Sequence, residues 1–166
     1  MWNRAIAAAA ATLAFLTPAS TVAAQGIRFG AGLGPTFGLE SGGGTNFHVM
    51  GTAAFGGEAE HPVNFRIDGM LQFRTGSDLF IGSGNVVYNF VVAEDTRIRP
   101  YVIGGAGIYA DGGTDFGINA GAGAIIALGN TPARLFGEAR FHAIFAEGNT
   151  ITQLPITVGL MFGSGH

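Results

Sequence analysis

Large apolar residues occupy every second position along most of the chain after residue 24, and small or polar residues lie between them. In the segment 27–40 the odd positions are apolar, whereas the even positions carry glycine, arginine, threonine or glutamate. A period of two residues is typical of a β-strand whose faces meet different environments. Eight segments carry this period, and the breaks between them are rich in residues that favour turns. They run approximately over 26–40, 45–60, 63–73, 79–90, 99–110, 116–128, 133–145 and 150–162.

No segment after residue 24 approaches 18 consecutive apolar residues, so the hydrophobicity does not indicate membrane-spanning helices. Many alternating strands without a polar outer face favour a closed barrel in lipid, with apolar side chains outside and polar side chains inside. The sequence therefore predicts an all-β fold, an eight-stranded antiparallel up-and-down transmembrane β-barrel. Aromatic residues near the strand ends predict girdles at the membrane interfaces. These residues are Phe29, Phe37, Phe47, Phe73, Tyr88, Phe90, Phe141, Phe145 and Phe162.

The first 24 residues follow a different pattern. Arg4 precedes the apolar run 5–16, Pro18 interrupts the chain, and Val22-Ala23-Ala24 provides small residues before a cleavage point. A run of about a dozen apolar residues is shorter than the roughly 20 that span a bilayer as a helix. We expect residues 1–24 to be a cleaved signal peptide and residues 25–166 to form one outer-membrane barrel domain.

Charge and cysteine content exclude several classes of function. After residue 24 the chain has seven arginines, no lysine and eleven acidic residues, a net charge of -4 that does not suit nucleic acid. Cysteine is absent, and the four histidines have no metal-ligand spacing, so we expect neither a metal site nor a cofactor. The glycines of 105–110 superficially fit a dinucleotide fingerprint, but that motif requires a helix after the strand.

Charged residues recur on the inward face of two strands. Arg66 and Asp68 lie on the third strand, and Glu138 and Arg140 lie on the seventh, which faces the third across a ring of eight. Unpaired charges in a narrow lumen would be costly, so the sequence predicts a salt-bridge network that crosses it. A structural plug and a gate for ions or small solutes are both compatible with such a network. Other polar residues predicted for the lumen are His48, Arg74 and His142.

The mature chain resembles a known family through residues 99–107, residues 135–141 and the last strand. It is similar to the small eight-stranded outer-membrane barrels typified by the OmpA transmembrane domain and OmpX. The resemblance implies residence in the outer membrane, contact with its lipid, and insertion by the barrel-assembly machinery. It also implies that the last strand carries the assembly signal, although residues 163–166 extend past its final aromatic residue. The signal residues are Leu154, Ile156, Val158, Leu160 and Phe162.

Three functions remain open at this point. The leading hypothesis is a non-enzymatic outer-membrane barrel with a structural or surface-contact role, although its predicted outer loops, 41–45, 75–78, 111–115 and 147–150, are short. The first alternative is a narrow channel for ions or small solutes. The second is a secreted, lipocalin-like carrier of an apolar ligand, which would need the opposite polarity of its two faces. Enzymatic activity is not expected. Lipid A deacylase barrels have a serine two residues after their histidine, whereas the residue two positions after His142 is Ile144.

Overall fold

The computed structural model describes residues 26–56, 62–93, 96–129 and 131–163, so the expected signal peptide lies outside the described residues. The described chain forms eight β-strands. Within it, no helix is long and apolar enough to cross a membrane. The strands are β1 (Ile27–Gly38), β2 (Thr45–Phe55), β3 (Val63–Phe73), β4 (Leu79–Asn89), β5 (Ile98–Ala110), β6 (Thr114–Ala127), β7 (Ala133–Ala146) and β8 (Asn149–Phe162).

The strands form one closed barrel in which each pairs with the next and β8 pairs with β1. All eight pairings are antiparallel, which confirms the predicted up-and-down topology. Following the pairing once around from Arg28 returns to β1 at Gly38, ten residues further along. Such a stagger requires strands tilted against the barrel axis and leaves an interior that side chains fill.

The two ends of the barrel differ in their connections. At one end, here called the turn end, the connections are 39–44, 74–78, 111–113 and 147–148, close to the predicted outer loops. At the other end, here called the terminal end, β1 begins and β8 finishes. The predicted first strand, 26–40, was too long, because β1 finishes at Gly38. β2 finishes at Phe55, and residues 57–60 of the predicted second strand lie outside the described residues.

The outer surface of the barrel is apolar. Phe65, Ile67 and Val158 are more than half exposed, and every strand carries exposed large apolar residues. Pairs of aromatic rings lie at both ends of the barrel. At the turn end, the ring centroids of Phe47 and Phe73 are 6.4 Å apart, and those of Phe116 and Phe145 are 6.5 Å apart. At the terminal end, Tyr88 contacts Phe90. An apolar wall bordered by aromatic residues suits lipid, whereas a lipocalin-like carrier would expose its charges instead.

The interior is less uniformly polar than the alternation predicts. Leu79, Ile81 and Val87 point inward from β4 and are buried, although the sequence indicates a polar inner face. Tyr101 and Tyr109 settle the facing of β5, which the sequence leaves open: both are buried inside, whereas Val102 and Ile108 face outward. Because eight strands enclose a packed core rather than a channel, apolar side chains can fill it as well as polar ones.

Inward glycines provide the room for large rings. A Cβ atom on Gly123 would lie 2.5 Å from Cζ of Tyr101, and one on Gly159 would lie 2.6 Å from Cε1 of Phe136. Phe136 is completely buried. The glycines on the inner face therefore make room for the aromatic rings of neighbouring strands.

Candidate functional site

The four charged residues on β3 and β7 meet in the middle of the lumen, and we call them the ion-pair cluster. Nε of Arg66 lies 3.0 Å from Oδ1 of Asp68, and its Nη2 lies 2.8 Å from Oε2 of Glu138. Nη1 of Arg140 lies 2.9 Å from Oδ2 of Asp68, and its Nε lies 2.9 Å from Oε1 of Glu138. Each arginine thus contacts both carboxylates, and the contacts join strands on opposite walls.

The ion-pair cluster is shielded from solvent and electrically balanced. None of its four side chains is more than 3% exposed. Two arginines face two carboxylates, so their formal charges cancel inside the cluster. Buried charges are tolerated when they are paired and hydrogen-bonded, and the removal of one partner leaves a charge without compensation.

Neutral side chains donate further hydrogen bonds to the carboxylates. The Tyr101 hydroxyl donates to Oε2 of Glu138 at 2.7 Å, and Nδ2 of Asn85 donates to Oδ2 of Asp68 at 2.9 Å. Nη2 of Arg140 also lies 3.0 Å from Sδ of Met50. The sequence did not indicate Tyr101, Asn85 or Met50 as partners of the cluster. The one signal available was that a buried tyrosine usually needs a partner for its hydroxyl.

The two predicted lumen histidines make different contacts. His48 is fully buried, and its ring nitrogens lie 2.8 Å from the Thr36 hydroxyl and 2.9 Å from the Thr157 hydroxyl. His142 lies 2.8 Å from the Tyr109 hydroxyl through Nδ1. Neither contact pairs a histidine with a carboxylate, and no group of three metal-ligating side chains occurs in the described part of the chain.

Arg74 requires a correction. The sequence predicts it in the lumen, but it follows the last residue of β3 and lies at the turn end. Its Nη2 lies 2.7 Å from Oδ2 of Asp111, and the two side chains are 26% and 42% exposed. The alternation of β3 stops one residue before Arg74, where the turn begins.

The proposed assembly signal lies on the outer face of β8. Ile156, Val158, Leu160 and Phe162 are exposed there, and Leu154 is half-buried. These residues therefore contribute to the apolar outer wall.

Solved structures share this architecture. Neisserial surface protein A (NspA) has a TM-score of 0.69 and 14% sequence identity, over 84% of this chain and 97% of that one. The chain has the fold of the small outer-membrane β-barrels. The N-terminal β-barrel domain of Pseudomonas aeruginosa OprF matches with a TM-score of 0.56 and 15% identity, over 83% of this chain and 98% of that one.

An enzyme is also among the proteins that share the fold. The outer-membrane enzyme PagL has a TM-score of 0.52 and 13% identity, over 82% of this chain and 99% of that one. No protein-family profile and no curated protein sequence matches the chain. The fold is that of outer-membrane barrels and the apolar outer wall suits a lipid bilayer, whereas the role of the protein must be argued from its own residues.

Proposed function

We propose that the protein is a non-enzymatic outer-membrane barrel with a structural or surface-contact role, and that the ion-pair cluster closes its lumen. The observation that carries the proposal is the set of contacts between Arg66, Asp68, Glu138 and Arg140, which joins opposite walls without solvent exposure. A plug of this kind stiffens the wall and removes a continuous water path.

Packing on both sides of the cluster supports a closed lumen. Toward the terminal end, the Phe136 and Tyr101 rings are fully buried against inward glycines. Toward the turn end, Tyr109 and His48 are equally buried. A solute would have to displace these rings as well as separate the ion pairs, so an open channel is the weaker hypothesis.

The contacts of the histidines also argue against catalysis. A nucleophile needs a base within hydrogen-bond reach, and the residue two positions after His142 is the buried Ile144. The partners of His48 are threonine hydroxyls, and among the described residues no carboxylate is hydrogen-bonded to its ring to orient it as a base. The likeness to PagL therefore concerns the fold alone.

Planar-bilayer conductance tests the closed lumen. We expect the refolded wild-type protein to give the background current of a protein-free bilayer. Glu138→Ala removes one side of the plug, and Arg74→Ala is the control because its ion pair lies at the exposed turn end. Steady conductance by the wild type would contradict the closed lumen. If Glu138→Ala folds and also stays at background, the cluster is not a gate.

Lipid and the barrel-assembly machinery are the partners we propose. The exposed apolar residues of β8 support this, since they end in the aromatic Phe162. Phe162→Ala should slow insertion by the purified assembly machinery in proteoliposomes, and Phe141→Ala, at another exposed phenylalanine, is the matched control. Equal insertion rates for the two variants would contradict the assignment.

A further inference from the structure

The middle of β8 is held to its neighbours by an interrupted ladder. Pairing between β1 and β8 covers Phe29–Leu33 and Thr36–Gly38 but skips Gly34 and Pro35. Pairing between β7 and β8 skips Arg140, which would lie opposite Pro155, and Phe141, which would lie opposite Leu154. Both gaps fall on the same short section of β8, residues 154–157.

The two prolines explain the gaps. Proline has no N–H to donate, so Pro35 leaves a carbonyl of β8 without its ladder bond, and Pro155 does the same to a carbonyl of β7. Gly34 lies so close to β8 that a Cβ atom there would collide with the Ile156 carbonyl oxygen. The backbone at this point is thus close-packed but short of hydrogen bonds.

His48 spans this gap from inside the barrel. It lies on β2, and its register partner on β1 is Gly34, which has no side chain to block the ring. The imidazole therefore contacts Thr36 on β1 through Nδ1 and Thr157 on β8 through Nε2. One buried side chain links three strands where the ladder between two of them is interrupted.

We propose that His48 is the latch of a lateral opening in the barrel wall between β1 and β8. When its bond to Thr157 is broken, Ile156 and Thr157, which have no register partner on β1, can move away from that strand, and the lumen at this level then faces the lipid. The opening does not require conduction through the ion-pair cluster, so it is independent of the closed lumen proposed above.

Hydrogen–deuterium exchange on the refolded protein in lipid nanodiscs tests the latch. His48→Ala should raise the exchange rate of the Ile156 amide, whose N–H points toward β1, at least tenfold. His142→Ala is the matched control, because it removes an equally buried histidine that does not bridge the β1–β8 contact. If His48→Ala fails to fold, Thr157→Val removes only one of the two bonds and should give the same local pattern.

A crosslink provides the converse test. Leu33 and Val158 are register partners across the β1–β8 contact and both face the lipid. A disulfide between cysteines at these two positions should return the exchange of His48→Ala to the wild-type rate. Equal exchange in the His48 and His142 variants, or no effect of the disulfide, would overturn the latch.

Discussion

Replacing Glu138 by alanine removes a carboxylate that three buried side chains share. Its oxygens lie 2.8 Å from Nη2 of Arg66, 2.9 Å from Nε of Arg140 and 2.7 Å from the Tyr101 hydroxyl. The variant leaves two buried arginines with Asp68 as their one remaining carboxylate in the cluster. Breaking a buried ion pair costs about 3 to 5 kcal/mol, and an unsatisfied buried hydroxyl adds about 1 to 3 kcal/mol. Because such losses are not additive, we expect Glu138→Ala to lower the free energy of unfolding by about 5 kcal/mol.

Urea titration in lipid vesicles measures this loss, with the heat-sensitive gel mobility of the folded barrel as the signal. With a slope of about 2 kcal/mol per M, the midpoint should fall by roughly 2 to 3 M. Glu138→Gln keeps the size of the side chain and a hydrogen-bond acceptor, so it should lose less. Arg74→Ala breaks an exposed pair and should cost less than about 1 kcal/mol. A loss for Glu138→Ala as small as that for Arg74→Ala would show that the ion-pair cluster does not stabilise the barrel.

Three further predictions use the same titration. Phe136→Ala empties a fully buried site and should cost about 3 to 5 kcal/mol; a loss below about 1 kcal/mol would mean that the lumen is loosely packed there. Gly123→Ala should lower the free energy of unfolding by about 1 to 3 kcal/mol, because the added methyl group would collide with the Tyr101 ring. Gly137→Ala, with no atom near its Cβ position, should be neutral. Equal effects of the two variants would contradict the inward and outward assignments. Ala139→Arg places a charge on the lipid face in the middle of β7 and should cost about 2 to 4 kcal/mol, and a neutral result would place this face outside the membrane.

The strand faces could be predicted wherever the two sides differed strongly in polarity. On β3, Phe65 and Ile67 alternate with Arg66 and Asp68, and the structure has the same alternation of exposed and buried residues. On β5 both faces carry large apolar residues, with Tyr101 inside and Val102 outside, so alternation gave no answer. The inward Leu79 and Ile81 of β4 were missed for the same reason: a packed interior accepts apolar side chains as readily as lipid does.

The charged residues of the site could be anticipated because topology alone places β3 opposite β7. The sequence puts Arg66, Asp68, Glu138 and Arg140 on one level, and the structure places them within contact distance. Their neutral partners could not be found in this way. The reach of Tyr101 depends on the missing side chain of Gly123, and the reach of His48 depends on Gly34. Both contacts follow from register across several strands, which local pattern does not determine.

The most direct test of the transmembrane barrel is the electrophoretic mobility of the purified protein refolded into lipid vesicles, compared without and with boiling in SDS. A closed membrane barrel resists SDS until it is heated, so we expect a faster band for the unboiled sample and a shift to the mobility of the unfolded chain after boiling. Equal mobility of the two samples, together with a monomer that stays in solution without detergent, would contradict the transmembrane barrel and the assignment of its inner and outer faces.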